Sequence, residues 1–533
     1  MRHRHGAAPT TTYAWIILSA ITILSWWPAP GHTRGAAAVA SAPITVALIL
    51  LGFIKGRMII RYFMEVRTAV AQAIHRRVAH RCVGRNSSDL PTRRRVELTL
   101  TQDVRFLGTM AQPLGYAAGV NTARAFRSRW RQYRFWTGAE ITDYDPIDPA
   151  NIAQPDAAYR ALHAGGRVHY NPKLGLWILS RLPDVRAAAR AADTMSSADG
   201  VTRLRMAGPL LVTMDGKPHN TMRRHVLPAF TKAALDTWQA MIDELAAKLV
   251  GEVLDNPGCD VVQRLAIPMP MLLIAHMLGI PDGDVDDFRR WSAAAVRMAD
   301  VDISRRGIAG LTSSIGGIRD IYRYFRQQFA VGGLKGSDTV LGKLLSVNAS
   351  GSIDDDELFF FAMLLLIAGN ETTTNLLGAM FDTFAQHPEK FDMVRADHSL
   401  IPKVVEEQLR FSSPVQMLYR TTRTEYEVGP VTIPAGARVL LSLGAANRDP
   451  QVFDEPDEFR VDRNPTEHLA FGFGAHLCLG AQLTRMEAQA VLRELVTRAR
   501  RIEAIGETQW STSYLLRGPE RINVRLTPAV VAG

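Results

Sequence analysis

One segment constrains this chain more than any other. Residues 471–480 read FGFGAHLCLG and place Cys478 among glycines, after two phenylalanines. Glycine adopts positive φ and lets the backbone approach a flat ligand closely, so that several N–H groups can point at one sulfur. The sequence AQLTRMEAQAVLREL that follows predicts a helix whose N-terminus favours a thiolate. An isolated cysteine of this kind is more often a buried structural residue, so the interpretation depends on the rest of the chain.

The ten residues match the pattern FGxGxHxCxG at every defined position and resemble the haem-binding loop of the cytochrome P-450 family. The resemblance implies that Cys478 is the thiolate ligand of the iron of haem b. It also implies that Phe471, Gly472, His476 and Gly480 belong to the cofactor-binding loop. The implied fold is mainly α with a small β region, and the haem lies between a distal helix at about 354–385 and the loop 471–480.

A long apolar helix is predicted upstream, in IDDDELFFFAMLLLIAGNETTTNLLGAMFDTFAQHP. Its run from 358 to 367 is apolar on all sides, which predicts complete burial. The small residues Ala368 and Gly369 let a flat group lie close, and the helix resembles the family's [AG]GxxT segment. The resemblance implies that Ala368 and Gly369 contact the haem and that Glu371 and Thr372 are the catalytic acid–alcohol pair. A threonine that bonds back to a carbonyl and bends the helix is the structural alternative, and both interpretations can hold together.

Two cationic positions point to the haem carboxylates. His219 and Arg223 are spaced i,i+4, so they share one helix face and can hold a carboxylate together. Without Cys478, two surface residues near a helix N-terminus would be the simpler interpretation. The segment fits the family pattern PxHxxxR, which implies that His219 and Arg223 contact a haem propionate. Arg420, in LYRTTR, matches the family's second propionate-binding arginine.

A buried ion network is expected below the cofactor. Glu407 and Arg410 match the family's ExxR, and Arg463 fits the third member. The resemblance implies that these residues organise the thiolate side of the fold and do no chemistry. It also implies that Val415 and Gln416 lie in a substrate-lining loop.

The chain divides by composition into three parts. Residues 1–55 form a hydrophobic leader, 56–135 a basic amphipathic segment and linker, and 136–533 the haem-thiolate monooxygenase domain. Residues 1–140 contain 20 of the 62 Lys and Arg residues but only 5 of the 52 Asp and Glu residues, a balance of +15 that leaves −5 for the remainder. The net charge of +10 therefore does not indicate nucleic-acid binding by the catalytic part.

The leader has three interpretations. Uncharged stretches at 13–27 and 35–54, flanked by basic residues, predict a membrane hairpin with both ends cytoplasmic, or else a single anchor. The region 1–81 would then associate with the membrane, and the domain would lie on its cytoplasmic face. A signal peptide is the second interpretation. A start of translation further downstream, which would leave a cytoplasmic protein, is the third.

The resemblance implies a monooxygenase that inserts one oxygen atom from O₂ into an apolar small-molecule substrate. Electrons would come from a separate partner, a ferredoxin with its ferredoxin reductase, because no flavin or iron–sulfur segment is fused. Three scattered cysteines form neither a disulfide framework nor a zinc pattern, which fits a reducing compartment. The alternatives are a haem-thiolate enzyme that uses peroxide directly, which the Glu371–Thr372 pair disfavours, and a haem-binding protein without catalysis.

Overall fold

The computed structural model describes residues 138–205, 208–280, 316–328, 339–348 and 355–529, together with a few single positions between 284 and 294. The predicted leader at 1–55 and the basic segment at 56–135 lie outside the described residues. The described residues all belong to one compact unit, which contains the whole of the predicted site.

Helices surround the predicted site residues, and a further helical stretch spans 316–328. Their bounds, in chain order, are α1 Pro149–Ala153, α2 Pro155–Ala164, α3 Leu182–Arg190, α4 Gly216–Val226, α5 Lys232–Asp236, α6 Gln239–Leu254, α7 Pro268–Leu278, α8 Val340–Asn348, α9 Asp355–Gln386, α10 Pro388–Ala396, α11 Ile401–Ser412, α12 Leu443–Ala446 and α13 Ala481–Arg498. A π-helical turn at Val262–Ala266 precedes α7.

The strands form one larger sheet and three small ones. Their bounds are β1 Glu140–Ile141, β2 Val168–Asn171, β3 Leu176–Leu179, β4 Met195–Ser196, β5 Cys259–Asp260, β6 Met417–Thr422, β7 Tyr426–Val428, β8 Val431–Ile433, β9 Arg438–Ser442, β10 Ala499–Ala504, β11 Gln509–Trp510, β12 Pro519–Arg521 and β13 Asn523–Pro528. The six-stranded sheet has the order β1-β2-β3-β9-β6-β4, the three-stranded sheet β10-β13-β5, and the pairs are β11-β12 and β7-β8.

The long helix α9 is the centre of the helical part. The apolar run predicts a helix at about 354–385, and the structure gives Asp355–Gln386. Residues such as Phe359 and Phe361 are almost fully buried and belong to the largest apolar cluster, together with residues of α6, α7, α11 and α13. The prediction of complete burial is confirmed for 358–363 and for Leu366, whereas Leu364, Leu365 and Ile367 are only half-buried.

Local turn signals predict the hairpin HYNPKLGLWILS, and the structure confirms it as the antiparallel pair β2–β3. The tail WSTSYLLRGPERINVRL is predicted to form a closing hairpin with its turn near Leu515 and Leu516, and the antiparallel pair β11–β12 confirms a hairpin around that turn. Strand β13 lies outside this hairpin and pairs with β10 and with β5. Between β11 and β12, Leu515 accepts a hydrogen bond from Gln416 N at 2.9 Å, which brings the tail against the predicted substrate-lining loop.

Within the described residues, one helix is long and apolar enough to cross a membrane by length and composition, and it is α9. Most of the most apolar stretch of α9 is buried inside the protein, as in a core helix.

Candidate active site

The loop 471–480 lies directly against the end of α3. Gly472 and Gly474 both have positive φ, 69° and 76°. A Cβ on Gly474 would lie 2.9 Å from the carbonyl oxygen of Ala189, a backbone atom of α3. The chain can therefore make this approach only with glycine at 474, which fixes the loop on which Cys478 lies.

Opposing influences act on the sulfur of Cys478. Burial is the largest influence and raises the pKa of the thiol. Hydrogen bonds from the backbone N–H groups of Gly480 and Ala481, at the N-terminus of α13, act to lower this pKa, as do the charges of Arg223 and Arg485. The surroundings thus hold two amides and two guanidinium groups for a negative sulfur, which is the arrangement that stabilises a metal-bound thiolate.

Two residues, Cys478 and Ala368, are accessible to solvent although protein surrounds them. The Cys478 side chain is exposed, although protein surrounds it closely enough for burial to raise its pKa. The sulfur therefore lines a recess. Ala368 is also exposed, in the middle of α9, between stretches of buried residues on either side. Both accessible positions are among those that the sequence assigns to the cofactor.

A side-chain hydrogen bond to the backbone of α9 lies at the predicted catalytic pair. Thr372 Oγ1 donates to the carbonyl oxygen of Ala368 at 2.7 Å, as the structural alternative predicts. Such a bond draws a hydroxyl into the helix ladder and loosens it locally. The neighbouring Glu371 is half-buried. Gly369 has a different role, since a Cβ there would lie 2.7 Å from Cδ1 of Ile274 on α7, so its small size permits the two helices to pack.

Buried donors surround the recess on its polar side. His219 is 1% exposed; its Nδ1 is 3.0 Å from Asn220 Oδ1, and its Nε2 has no partner among the described residues. The rings of His219 and His476 lie 4.4 Å apart. Arg420 is 3% exposed, and burial lowers the pKa of its guanidinium to about 10. Among the described residues its side chain donates to the Tyr419 carbonyl and makes no ion pair.

Arg223 lies on the sulfur side of this group of donors. Its Nη2 donates to the carbonyl oxygen of Leu477 at 2.7 Å, next to Cys478 in the chain. Burial is the largest influence on its guanidinium and lowers the pKa, whereas the charge of Cys478 acts to raise it. The structure therefore brings together His219, Arg223, Arg420 and His476, as the sequence predicts.

These residues fit a haem. A buried guanidinium and an unpartnered imidazole nitrogen are costly without an anion, and two carboxylates of a porphyrin would satisfy them. The accessible sulfur of Cys478 suits iron, and the small Ala368 leaves room beside a flat ring. The observation that decides the fit is the orphaned Nε2 of His219, which needs a partner that the described residues do not supply.

The predicted ion network forms around Glu407, which is fully buried. Arg410 donates to both carboxylate oxygens at 2.7 and 2.8 Å, and Arg463 Nε donates to Oε1 at 3.2 Å. Arg410 also donates to the carbonyl oxygens of Asn447, Pro456 and Glu458. The network joins α11 to the segment that precedes the cysteine loop, in agreement with the sequence prediction.

A second network beside it is missed by the sequence reasoning. Glu406, the neighbour of Glu407, accepts from Arg485 at 2.6 and 2.8 Å and lies 3.0 Å from His468 Nε2. Burial acts to raise the pKa of this carboxyl, but Arg485 and His468 outweigh it and bring the pKa down to about 2. Arg485 lies over the ring of Phe471 at 4.6 Å. The network therefore clamps the first residue of the cysteine loop.

Two further buried acids also escape the sequence reasoning. Asp215 contacts Ser196, Ser197 and Arg423 and lies close to His476. Glu487, on α13, is 2% exposed, and burial raises the pKa of its carboxyl to about 8. A polar recess of about 270 Å³ is lined by residues that include Asp382, Arg448 and Arg517. It holds none of the predicted catalytic or cofactor-binding residues, although Gln416 of the predicted substrate-lining loop lines it.

Two family models match the chain. The model described as Cytochrome P450 matches residues 326–503. The model described as Prokaryotic Cytochrome C oxidase subunit IV matches residues 12–78, outside the described residues.

Relatives and solved structures extend this match. The chain is 45% identical over 448 residues to a β-dihydromenaquinone-9 ω-hydroxylase of Mycobacterium tuberculosis, which covers 83% of this chain and 91% of that protein. It is 31% identical over 400 residues to a steroid C26-monooxygenase of the same species, covering 74% and 100%. The structure of cytochrome P450 CYP109Q5 from Chondromyces apiculatus aligns with a TM-score of 0.65 and 32% identity, over 73% of this chain and 99% of that one.

The first alignment is longer than residues 136–533, so similarity to that hydroxylase begins before 136. The predicted boundary at 136 stays a prediction. The cysteine loop, the long apolar helix, the buried donors and the similarity over the whole described part lead to one conclusion. The chain belongs to the cytochrome P450 family, and it is a haem b-dependent monooxygenase.

Proposed function

We propose that this chain hydroxylates an apolar lipid-like molecule at a haem that Cys478 ligates, with Glu371 and Thr372 handling protons. One observation carries the proposal: the accessible sulfur of Cys478 lies on the loop whose His476 packs 4.4 Å from the buried His219, a ring with an unpartnered Nε2. The buried guanidinium of Arg420 makes no ion pair with the described residues. In the proposed arrangement, His219, Arg223, Arg420 and His476 hold the haem carboxylates.

The haem, when bound, supplies the activation of O₂ and the oxidising power for a C–H bond. Cys478 would contribute electron density as a thiolate, and the amides of Gly480 and Ala481 would stabilise its negative charge. Phe471 and the glycines of the loop hold this sulfur in place. The protein's part is thus to bind, to orient and to control where protons arrive.

Proton handling is assigned to α9. Because Thr372 Oγ1 donates to the Ala368 carbonyl, its oxygen could still accept a hydrogen bond from water. Rotation of the hydroxyl would free its proton for donation to a group beside the helix. Glu371, half-buried one residue earlier, is the carboxyl that would bring protons to this point.

The substrate class follows from the apolar surface of α9 and from the relatives. Leu364, Leu365 and Ile367 are half-buried on the same helix that exposes Ala368. The relative with 45% identity is named for the ω-position of a menaquinone derivative, and the other is named for a steroid. We infer that the chain acts on a terminal carbon of a long isoprenoid lipid.

Product analysis tests this substrate class. The loaded enzyme is incubated with a menaquinone, a sterol or a short aromatic compound, with NAD(P)H, a ferredoxin and its reductase. We expect ω-hydroxylated menaquinone as the major product. Exclusive turnover of the short aromatic compound would contradict the inference. Product from peroxide alone, without NAD(P)H and ferredoxin, would favour the peroxide-using alternative.

The electron donor is assigned to the face beside the cysteine loop. Arg186 and Arg190 lie over the ring of Phe473 at 5.4 and 5.0 Å. The same face exposes 44% of Leu477 and 45% of Leu227. A basic rim around exposed apolar side chains suits an acidic ferredoxin, because charge steers the encounter and apolar contact holds it.

Charge reversal at Arg190, which is exposed on this face, tests the donor assignment. Arg190→Glu should raise the KM for ferredoxin at low salt and leave the haem spectrum unchanged. Lys403→Glu is the control, because Lys403 is exposed on α11. Equal effects from the two variants would contradict a specific docking face.

For the leader, we propose that residues 1–81 hold the domain at the cytoplasmic face of a membrane. The support is the pair of uncharged stretches flanked by arginines and the match of 12–78 to an oxidase subunit model. A lipid substrate would then reach the enzyme from the bilayer.

Fractionation of the full chain tests the anchor. We expect the enzyme in the membrane fraction, and we expect Leu48→Asp with Leu51→Asp to release it, since charges in a span are costly. Ser87→Asp, in the predicted linker, is the control. Recovery of the unaltered chain wholly in the supernatant would contradict the anchor.

A further inference from the structure

Asp215 occupies an unusual place for a helix-capping residue. It is the N-cap of α4, yet its side chain accepts no hydrogen bond from that helix. The carboxylate, 4% exposed, accepts from Ser196 Oγ at 2.5 Å, from Ser197 N at 3.0 Å and from Arg423 Nη2 at 2.7 Å. It therefore joins the end of β4 and the end of β6 to the start of α4.

The same carboxylate contacts the cysteine loop through His476. Oδ1 of Asp215 lies 3.8 Å from His476 Nε2, and Ser197 Oγ lies 3.3 Å from that nitrogen. In the tautomer with its proton on Nδ1, the ring accepts at Nε2 from Ser197 Oγ, and no hydrogen bond from the described residues reaches Nδ1. The ring of His219, tilted by 49° to that of His476, has its Nδ1 facing Asn220 and its Nε2 unpartnered among the described residues. Each ring thus uses one nitrogen on the protein and leaves the other for a ligand.

Charge gives Asp215 a second role. Burial acts to raise the pKa of its carboxyl, but the nearby His476 ring and the hydrogen bonds from Ser196, Ser197 and Arg423 outweigh burial and hold that pKa far below its ordinary range. The group is therefore ionised at neutral pH. It is the charge that most favours the protonated form of the buried Arg420.

We propose that Asp215 is a positioning residue for the cofactor: it orients His476 so that Nδ1 is left for a haem carboxylate, and its charge lowers the reduction potential of the haem. The inference deepens the proposed haem site and rests on it. A carboxylate beside one nitrogen of an imidazole fixes the orientation of the ring, as it does for the imidazoles of metal sites. Reduction adds an electron to the haem, so a nearby fixed negative charge disfavours the reduced form.

The test compares reduction potential and haem retention in the loaded protein. Asp215→Asn should shift the midpoint potential to more positive values and speed haem loss to an excess of a haem-scavenging apoprotein by about tenfold or more. Arg423→Gln, at a half-exposed side chain that the fold tolerates, should shift the potential in the opposite direction. Asp184→Asn is the matched control, because Asp184 is a buried acid paired with Arg167 away from the histidines.

The outcomes separate this inference from the proposed site. Shifts of opposite sign in Asp215→Asn and Arg423→Gln, with Asp184→Asn near the unaltered protein, support the inference. Equal potentials in all four proteins, each with the carbon monoxide band near 450 nm, would overturn the role of Asp215 while the haem site stands. Absence of that band in the unaltered protein would overturn the haem site and the inference with it.

Discussion

Substitution of Gly474 by alanine should dislodge the cysteine loop, and the structure supplies the magnitude. The new Cβ would lie 2.9 Å from the carbonyl oxygen of Ala189 and 3.0 Å from Cα of Arg190, both backbone atoms that cannot rotate away. The residue would also keep φ at 76°, which costs a non-glycine residue about 1–2 kcal/mol. Overpacking adds about 1–3 kcal/mol. The expected loss of stability is therefore about 2–5 kcal/mol.

Gly472 offers a matched control in the same loop. Its φ is 69°, but a Cβ there meets nothing closer than the His476 carbonyl oxygen at 3.8 Å. Gly472→Ala should therefore cost only the conformational term, about 1–2 kcal/mol. Urea unfolding of the loaded proteins, followed through the carbon monoxide band near 450 nm, measures both losses. Equal losses for the two variants would contradict the close contact between the loop and α3.

Three further changes test other parts of the account. Thr372→Ala should retain haem while peroxide release rises and product falls, by up to about 10²–10⁴-fold; unchanged coupling, measured as product per NAD(P)H, would leave Thr372 only its hydrogen bond to the backbone of α9. In Glu487 the folded pKa of about 8 exceeds the ordinary value of 4.5, so the folded state binds more protons and stability falls as pH rises between these values, by about 5 kcal/mol in all; Glu487→Gln should flatten this part of the stability–pH curve, and an unchanged slope would contradict the raised pKa. Glu407→Ala should destabilise the fold by about 3–5 kcal/mol in thermal unfolding, because Arg410 stays buried without its partner, whereas the exposed Glu425→Ala should have little effect.

The sequence predicts those features that depend on neighbours in the chain. The bounds of α9 follow from its apolar run, and the hairpin β2–β3 follows from turn residues between two apolar strands. The pair Glu407 and Arg410 is spaced i,i+3, so helix geometry alone brings the two charges together. Helix geometry alone also explains the hydrogen bond from the Thr372 hydroxyl to the carbonyl oxygen of Ala368.

Features that depend on packing between distant segments escape the sequence. Glu406 and Arg485 are 79 residues apart, and only the packing of α11 on α13 shows that they meet. Asp215 directly precedes α4 in the sequence, but its carboxylate contacts three other segments of the chain. The sequence predicts that Gly369 leaves room for a ligand, and it does not show that Gly369 also packs against Ile274. A one-dimensional pattern identifies a small or charged residue and does not say which neighbour it meets.

The most direct test of the central claim is the spectrum of the reduced protein with carbon monoxide, in three versions of the chain. The unaltered protein should absorb near 450 nm, as the family resemblance implies for a thiolate ligand. Cys478→Ala should lose this band, and Cys259→Ala, at the half-buried free cysteine of β5, should keep it. A band near 450 nm that survives in Cys478→Ala would show that another residue ligates the iron and would contradict the assignment of the loop.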